Sequence, residues 1–137
     1  MTTKTPLLAV GLISSGAFIV ALAQSPPPQS PPTENKAFKD VELRSIDLES
    51  EIDTVKGYKL RMRRLTLQPG GVIALHNHKG RPTVSYLLKG TLTSRSPGKP
   101  DMVITAGGGH TVGMADNHWV ENRGAETAEW VVVEVAK

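Results

Sequence analysis

The chain has 137 residues, with 16 basic and 13 acidic side chains and a formal net charge of +3 at pH 7. This length allows one small domain, and a charge so close to balance excludes the strongly basic and strongly acidic classes of protein. Because the chain contains no cysteine, it forms no disulfide and carries no lipid on an N-terminal cysteine.

Residues 1–23 are typical of a secretory signal peptide. Lys4 supplies a positive start, residues 6–23 carry no charge, and residues 21–23 read Ala-Leu-Ala, a small-residue cleavage site. We therefore expect an exported protein, periplasmic or secreted, without stable membrane insertion after cleavage. The alternative is an uncleaved anchor helix, since the 18 uncharged residues could almost span a bilayer.

Residues 24–36 are predicted to be a Pro-rich linker. Five of the twelve residues from 24 to 35 are proline and none is a large apolar residue, so an extended, solvated segment is expected. The predicted folded domain is residues 37–137, which is long enough for one two-layer core.

Within this domain, apolar residues recur at every second position, as in β-strands with one wet face. The first predicted strand covers 41–49, with a bulge near Ser45. The second covers 58–67 and is expected to end in a turn at Pro69-Gly70-Gly71. Further short strands are predicted at 72–75, 83–88, 91–94, 102–105, 110–113, 117–122 and 126–135. No helical spacing extends over ten residues, so an all-β sandwich or barrel is expected.

One basic cluster lies in the second strand. It consists of Lys59, Arg61, Arg63 and Arg64. The first three share a face and alternate with Leu60, Met62 and, after a shift past Arg64, Leu65. We expect a half-buried strand whose basic face is solvated. Neither a basic helix nor a set of stacking aromatic residues accompanies the cluster, so no nucleic-acid partner is expected.

Histidines supply the functional signal. His76 and His78 lie two residues apart at the end of an apolar run, so on a strand they project from the same face. Two converging imidazoles form half of a metal site, and His118 supplies a third farther along the chain. His110, the fourth histidine, is either an extra ligand or base facing the cavity, or simply a polar strand residue.

The spacing around these residues resembles the first motif of the cupin family. That motif reads glycine, five residues, His-x-His, three or four residues, glutamate, six residues, glycine. In this chain Gly70, His76, His78 and Gly90 occupy the same frame. Thr83 stands where the family usually has its glutamate ligand, and a neutral hydroxyl is a poor ligand because it lacks the charge and basicity of a carboxylate.

A later stretch is similar to the second cupin motif, which reads glycine, five residues, Pro-x-Gly, two residues, histidine, three residues, asparagine. Gly107, His118 and Asn122 match it, and Gly113-x-Ala115 replaces Pro-x-Gly. Together the two motifs imply a small antiparallel jelly-roll β-barrel, cupin-like, with its site inside one end.

The resemblance makes His76, His78 and His118 the metal ligands. Three neutral imidazoles suit a divalent transition metal (Fe, Mn, Zn, Ni or Cu), and the order of affinities does not choose among these. Three protein ligands leave coordination positions open, as in catalytic sites. Because no carboxylate is among them, the metal would stay a stronger Lewis acid, which favours an anionic substrate or a bound hydroxide.

Two functions are left open. One is a metal-dependent enzyme of the dioxygenase, isomerase or lyase type that acts on a small molecule, with its catalytic residues unassigned. The other is a non-catalytic barrel that binds or senses a small molecule, with no metal or a structural one. Arg81 either attracts an anion at the cavity mouth or pairs with Asp116 or Glu121. A homodimer through strand edges would cover exposed edges.

Overall fold

The computed structural model describes residues 30–137. The predicted signal peptide (1–23) and residues 24–29 of the predicted linker lie outside the described residues. In the part that is described, no helix is long and apolar enough to cross a membrane, and a 3-10 turn covers Leu48–Ser50. The strands are β1 (Lys36–Asp47), β2 (Lys59–Asn77), β3 (Thr83–Lys89), β4 (Thr91–Arg95), β5 (Met102–Thr105), β6 (Gly109–Val112), β7 (Asn117–Glu121) and β8 (Ala128–Ala136).

These strands form one sheet in the order β5-β4-β7-β2-β8-β3-β6, with β1 paired to β2. All pairings are antiparallel. The sheet curls into a nearly closed barrel, so the predicted all-β jelly-roll fold is confirmed. Strand β2 is 19 residues long and pairs with β1, β7 and β8, which makes it the central strand of the sheet.

The turn predicted at residues 69–71 is wrong, because β2 continues through it. Gly70 adopts a φ of 70°, and its N–H donates to the Asn122 carbonyl at 2.9 Å. The Asn122 N–H in turn donates to the Gly71 carbonyl at 3.0 Å. A Cβ on Gly71 would lie 2.8 Å from atoms of Leu67 and Gln68. The glycines therefore form a bend at which β2 exchanges its partner β8 for β7.

The described end of the predicted linker is hydrogen-bonded to β2. The Pro32 carbonyl accepts from the Leu75 N–H at 2.9 Å, and the Asn35 side-chain oxygen accepts from the Ala74 N–H at 2.8 Å. Strand β1 begins immediately afterwards, at Lys36, which is earlier than the sequence pattern predicted.

In β1 itself, a register shift between Glu42 and Arg44 lies slightly before the bulge predicted near Ser45.

The solvated basic face predicted for β2 is wrong. Arg61 and Arg63 share their face with the buried Leu65, and their side chains are only 25% and 13% exposed. Leu60 and Met62 on the opposite face are 39% and 40% exposed. The prediction placed a shift in this segment, whereas the β2–β8 register is regular there. The basic side chains turn inward because a buried carboxylate on β8 holds them.

The core fills the barrel with every second residue of its strands. On β8, the buried side chains alternate from Ala128 through Trp130 and Val132 to Glu134. Eight buried apolar residues form one cluster: Leu65, Leu67, Leu87, Leu92, Val120, Ala128, Trp130 and Val132. Glu134 is therefore a charged residue at a position that the strand period assigns to the interior.

The outer face of the same sheet is also apolar. On β3, Val84 and Tyr86 are 54% and 51% exposed. Val84 pairs with Val133 of β8, which pairs with Met62 of β2, so the exposed apolar residues continue across three strands. Monomeric proteins rarely expose large continuous apolar patches.

Candidate metal centre

Three histidine side chains meet in the interior of the barrel. His76, near the end of β2, lies directly opposite His118 of β7, and His78 follows β2 by one residue. The Nε2 atom of His78 is 3.1 Å from Nε2 of His76 and 3.3 Å from Nε2 of His118. One ring nitrogen of each histidine lies within 4.8 Å of the others. The structure thus brings together the three site residues that the sequence predicted.

Hydrogen bonds fix the proton on Nδ1 in two of these rings. The Ala74 carbonyl oxygen, 2.8 Å from Nδ1 of His76, can only accept. The Thr83 hydroxyl donates to the Arg81 carbonyl at 3.0 Å, so its oxygen accepts from Nδ1 of His78 at 2.9 Å. A neutral imidazole protonated at Nδ1 carries a lone pair on Nε2. The Nε2 atoms of His76 and His78 therefore present lone pairs to each other.

The third ring has similar support. The Ser94 hydroxyl lies 2.8 Å from Nδ1 of His118, and as an acceptor it leaves Nε2 free to face the other rings. Lone pairs at these distances repel one another unless a cation lies between them. A tetrahedral metal with metal–nitrogen bonds of about 2.0–2.1 Å holds its ligand nitrogens about 3.3 Å apart, close to the observed 3.1 and 3.3 Å. The residues present therefore fit a metal held by three imidazoles.

Burial keeps the three rings neutral. It lowers the pKa of His118 to about 3 and that of His78 to about 4, and the neighbouring histidines add to both effects. Burial also lowers the pKa of His76, against the opposing effect of its hydrogen bond to Ala74. At pH 7 all three imidazoles are uncharged, which is the state in which histidine binds a metal.

The rings line a cavity of about 310 Å³, at the small end of the range for ligand-binding pockets. Apolar side chains of the core, including Leu65, Trp130 and Val132, form much of its wall. Its other polar lining residues include Asp40, Arg63, Arg81, Thr83, Ser85 and His110. A largely apolar cavity with a few converging polar groups is the usual form of a small-molecule site.

His110 faces this cavity but stands apart from the cluster. Its ring centroid is 6.3 Å from that of His118, and it is not among the three histidines that are close enough to share one ion. Burial lowers the pKa of His110, so it too is neutral at pH 7. It is a polar wall residue that can contact a bound molecule.

Arg81 also lines the cavity. This location agrees with one of the two alternatives that the sequence left open for Arg81. The other, a pairing with Asp116 or Glu121, is wrong, since both acids have different partners. Asp116 pairs with Lys99 at 3.8 Å, and Glu121 accepts the indole N–H of Trp119 at 2.7 Å.

Behind the cavity wall lies Glu134, whose side chain has no exposed surface. Arg61 Nε donates to its Oε1 at 3.0 Å, Arg63 donates to its Oε2 at 3.2 Å, and Nε of Arg81 lies 3.7 Å from Oε2. Burial raises the pKa of Glu134, but the hydrogen bond from Arg61 and the charges of the other two arginines outweigh it, so the pKa is lowered. Glu134 faces Thr83 across the β8–β3 pair.

Sequence reasoning missed the residues that support the histidines. Nothing in the sequence marks the Ser94 hydroxyl or the Ala74 carbonyl as partners of ring nitrogens, because both contacts depend on the barrel. A signal for Glu134 was present: it continues the inward alternation of Trp130 and Val132, and a buried acid needs cationic partners.

A nearly closed antiparallel barrel with three converging histidines defines a class, the small jelly-roll barrels with an internal histidine cluster. The family model described as the cupin domain matches residues 63–134, which is 72 of the 137 residues. The chain therefore belongs to the cupin family, and the resemblance seen in its two motifs is confirmed. No curated protein matches the chain in sequence.

Solved structures of low sequence identity share this fold. A predicted oxalate decarboxylase from Thermotoga maritima is 23% identical with a TM-score of 0.57, over 78% of this chain and 94% of that chain. The polyketide cyclase RemF from Streptomyces resistomycificus is 17% identical with a TM-score of 0.60, over 77% and 70%. The cupin domain of an XRE family transcriptional regulator from Enterobacter cloacae is 14% identical with a TM-score of 0.54, over 72% and 96%. The first two act on small molecules by their names, and the third belongs to a regulator, so the fold alone assigns no activity.

Proposed function

We propose that this protein is a metal-binding cupin that acts on a small molecule, with one divalent transition metal held by Nε2 of His76, His78 and His118. The observation that supports this proposal is that Nδ1 of each ring has a hydrogen-bonding partner while the ligand nitrogens lie within 4.8 Å of one another. In His76 and His78 this leaves the Nε2 lone pair free, and in His118 it does so with Ser94 as acceptor. Partners of this kind on the outer ring nitrogen are typical of metal-ligating histidines, because they fix the tautomer and the ring orientation.

The chain's own residues define what such a site can do. Three protein ligands leave coordination positions open, and the cavity places a bound molecule next to them. Thr83, Ser85 and His110 present polar groups to that molecule, while apolar side chains form much of the rest of the wall. When bound, the metal would supply Lewis-acid chemistry or, if it is Fe, Mn, Ni or Cu, redox chemistry. Reactions of the dioxygenase, isomerase or lyase type are the proposed activities.

Metal titration tests the proposal. Protein freed of metal by a chelator is titrated with Zn²⁺ and, separately, Co²⁺, whose visible spectrum reports three nitrogen ligands. We expect one ion per chain, and loss of binding in His118→Ala. The matched control is His110→Ala, which removes a histidine of the same cavity wall outside the cluster and retains binding.

The outcomes decide whether the histidines form a metal centre. Failure of both ions to bind, or equal loss in His110→Ala and His118→Ala, would overturn the metal centre and leave a binding or sensing barrel without metal. One bound ion that depends on His118 supports the metal centre.

We also propose that the protein is exported and that cleavage follows Ala23. The sequence pattern of residues 1–23 is the support for this, since that segment lies outside the described residues. N-terminal sequencing of the exported form is expected to begin at Gln24, and an intact Met1 on that form would contradict cleavage.

We further propose a homodimer, formed through the exposed apolar face of β3 and its neighbours. A second copy presents the same face, so a two-fold contact would bury it on both chains. Arg64 and Glu129, paired at 3.7 Å on this side, supply charges of both signs near it. Light scattering should give a dimer mass for the native chain and a monomer mass for Tyr86→Glu, and a monomeric native chain would contradict the proposal.

A further inference from the structure

We propose that Arg81, together with Arg63, forms a carboxylate-binding subsite in the cavity wall, and that the molecule taken by this site is a small organic acid. The inference rests on the proposed function, because the subsite shares its cavity with the three histidines. It adds a class of ligand to that function.

The charged side chains that line the cavity are Arg63, Arg81 and Asp40. Asp40 forms an ion pair with Arg63, so these two charges compensate each other. Behind the wall, Glu134 is bonded most closely by Arg61. The three histidines are neutral, as shown above. In the metal-free protein, the charged side chains of the wall therefore carry one positive charge in excess, and that charge is Arg81.

Arg81 has unused capacity to bind an anion. Its acidic contact, Glu134, is 3.7 Å away and already accepts hydrogen bonds from Arg61 and Arg63. Among residues 30–137, no other acidic group forms an ion pair with Arg81. One of its terminal nitrogens is 3.4 Å from the Asn77 carbonyl, a long hydrogen bond. A guanidinium carries five N–H donors, so most of those of Arg81 are available to a ligand.

The subsite is held in place before any ligand arrives. Glu134 is fully buried and touches all three guanidinium groups, so it orients Arg63 and Arg81 toward the cavity without itself lining it. Removing the freedom of a charged side chain in advance lowers the cost of ordering it on binding. Glu134 is thus a positioning residue for the subsite.

A carboxylate fits this site better than a phosphate does. The planar guanidinium matches the two oxygens of a carboxylate, and in the metal-free protein the excess charge of Arg81 balances one carboxylate. The rest of the wall is apolar at Leu65, Trp130 and Val132, which suits a carbon skeleton. A second polar group on that skeleton would lie toward the histidines, which line the same cavity.

The test compares molecules of equal size that differ in charge. The full-length chain, first metal-free and then loaded with Zn²⁺, is titrated calorimetrically with succinate, with its neutral analogue succinamide, and with inorganic phosphate. We expect succinate to bind at least about tenfold more tightly than either of the others, a difference typical of one charged hydrogen-bonded pair. The preference should weaken with added salt.

Two variants locate the effect. Arg81→Gln should abolish the preference for succinate over succinamide, while Arg81→Lys, which keeps the charge and loses the planar fork, should retain part of it. The matched control is Arg64→Gln. Arg64 follows Arg63 directly in β2, lies on the opposite face and is 55% exposed, so this variant should bind succinate as the native chain does. A near-ultraviolet circular dichroism spectrum like that of the native chain shows that each variant is folded.

Equal binding of succinate and succinamide, tighter binding of phosphate, or native succinate binding by folded Arg81→Gln would each overturn the subsite. Titration of the native chain with Zn²⁺ alone reports on the metal centre independently. If succinate is preferred and Zn²⁺ does not bind, the proposed function fails and the subsite stands. If Zn²⁺ binds and succinate is not preferred, the subsite fails and the metal centre stands.

Discussion

Replacing Thr83 with valine isolates one hydrogen bond at the histidine cluster. The side chains are nearly equal in shape and the site is buried, with Thr83 only 6% exposed. The change therefore removes the acceptor of the Nδ1 proton of His78 together with the hydroxyl's own hydrogen bond to the Arg81 carbonyl. The Arg81 carbonyl, 3.3 Å from the same nitrogen, remains as a weaker acceptor. Loss of such a supporting contact lowers metal affinity by about 10- to 100-fold.

Because one acceptor remains, we expect the lower end of this range, about tenfold, or about 1.4 kcal/mol of binding free energy. Competition for Zn²⁺ with a chelator of known affinity measures it. The control is Ser85→Ala, which removes a hydroxyl from the same face of β3 that is bonded to the His110 carbonyl at 3.3 Å rather than to the cluster. Affinity of Thr83→Val within twofold of the native value, or an equal loss in Ser85→Ala, would refute the assignment of Thr83 as the support of His78.

Three further outcomes are expected. Glu134→Gln should lower the free energy of unfolding by about 3 kcal/mol, the lower end of the range for a broken buried ion pair. The buried charge that Arg61, Arg63 and Arg81 share is lost, while Arg63 keeps Asp40 as a partner. Glu129→Gln, on the outer face of β8, should cost under about 1 kcal/mol in the same urea titration, and equal effects would contradict the burial argument. In metal-free protein, the free energy of unfolding should fall by about 1.5 kcal/mol for each of His78 and His118 as the pH falls from 6.5 to 5. The unfolded chain, with its histidine pKa near 6.5, takes up protons there that the folded chain, with pKa values of about 4 and 3, does not; an unchanged slope in a variant with both histidines replaced by glutamine would contradict this. Gly71→Ala should destabilise by about 1–3 kcal/mol in thermal unfolding, since its Cβ would lie 2.8 Å from neighbouring atoms, a result that native-like stability would exclude.

The sequence predicted the histidine cluster because two independent patterns agreed on it. The two-residue period placed His76 and His78 on one face, and the spacing of the second motif added His118 from a strand that pairs directly with β2. The supporting hydroxyl of Ser94 could not be predicted, since Ser94 and His118 are 24 residues apart and meet only when the sheet is formed.

The prediction that the basic face of β2 is solvated was wrong for a related reason. A period of two shows that Arg61 and Arg63 share a face, but it does not show which face is inside. That choice was decided by Glu134, 71 residues beyond Arg63, whose buried carboxylate compensates the arginines. Pro69-Gly70-Gly71 likewise permits either a reversal or a bend, and only the pairing of β2 with β7 and β8 selects the bend.

The facing positions of Thr83 and Glu134 restrict which residues each position can hold. A chain with glutamate at both positions would hold two carboxylates on directly paired residues, whose Cα atoms lie about 4.5–5.5 Å apart, and the two charges would repel in a buried place. A chain with an acid at neither would leave Arg61, Arg63 and Arg81 without their shared partner. In this barrel the residue type at position 83 therefore constrains the residue type at position 134.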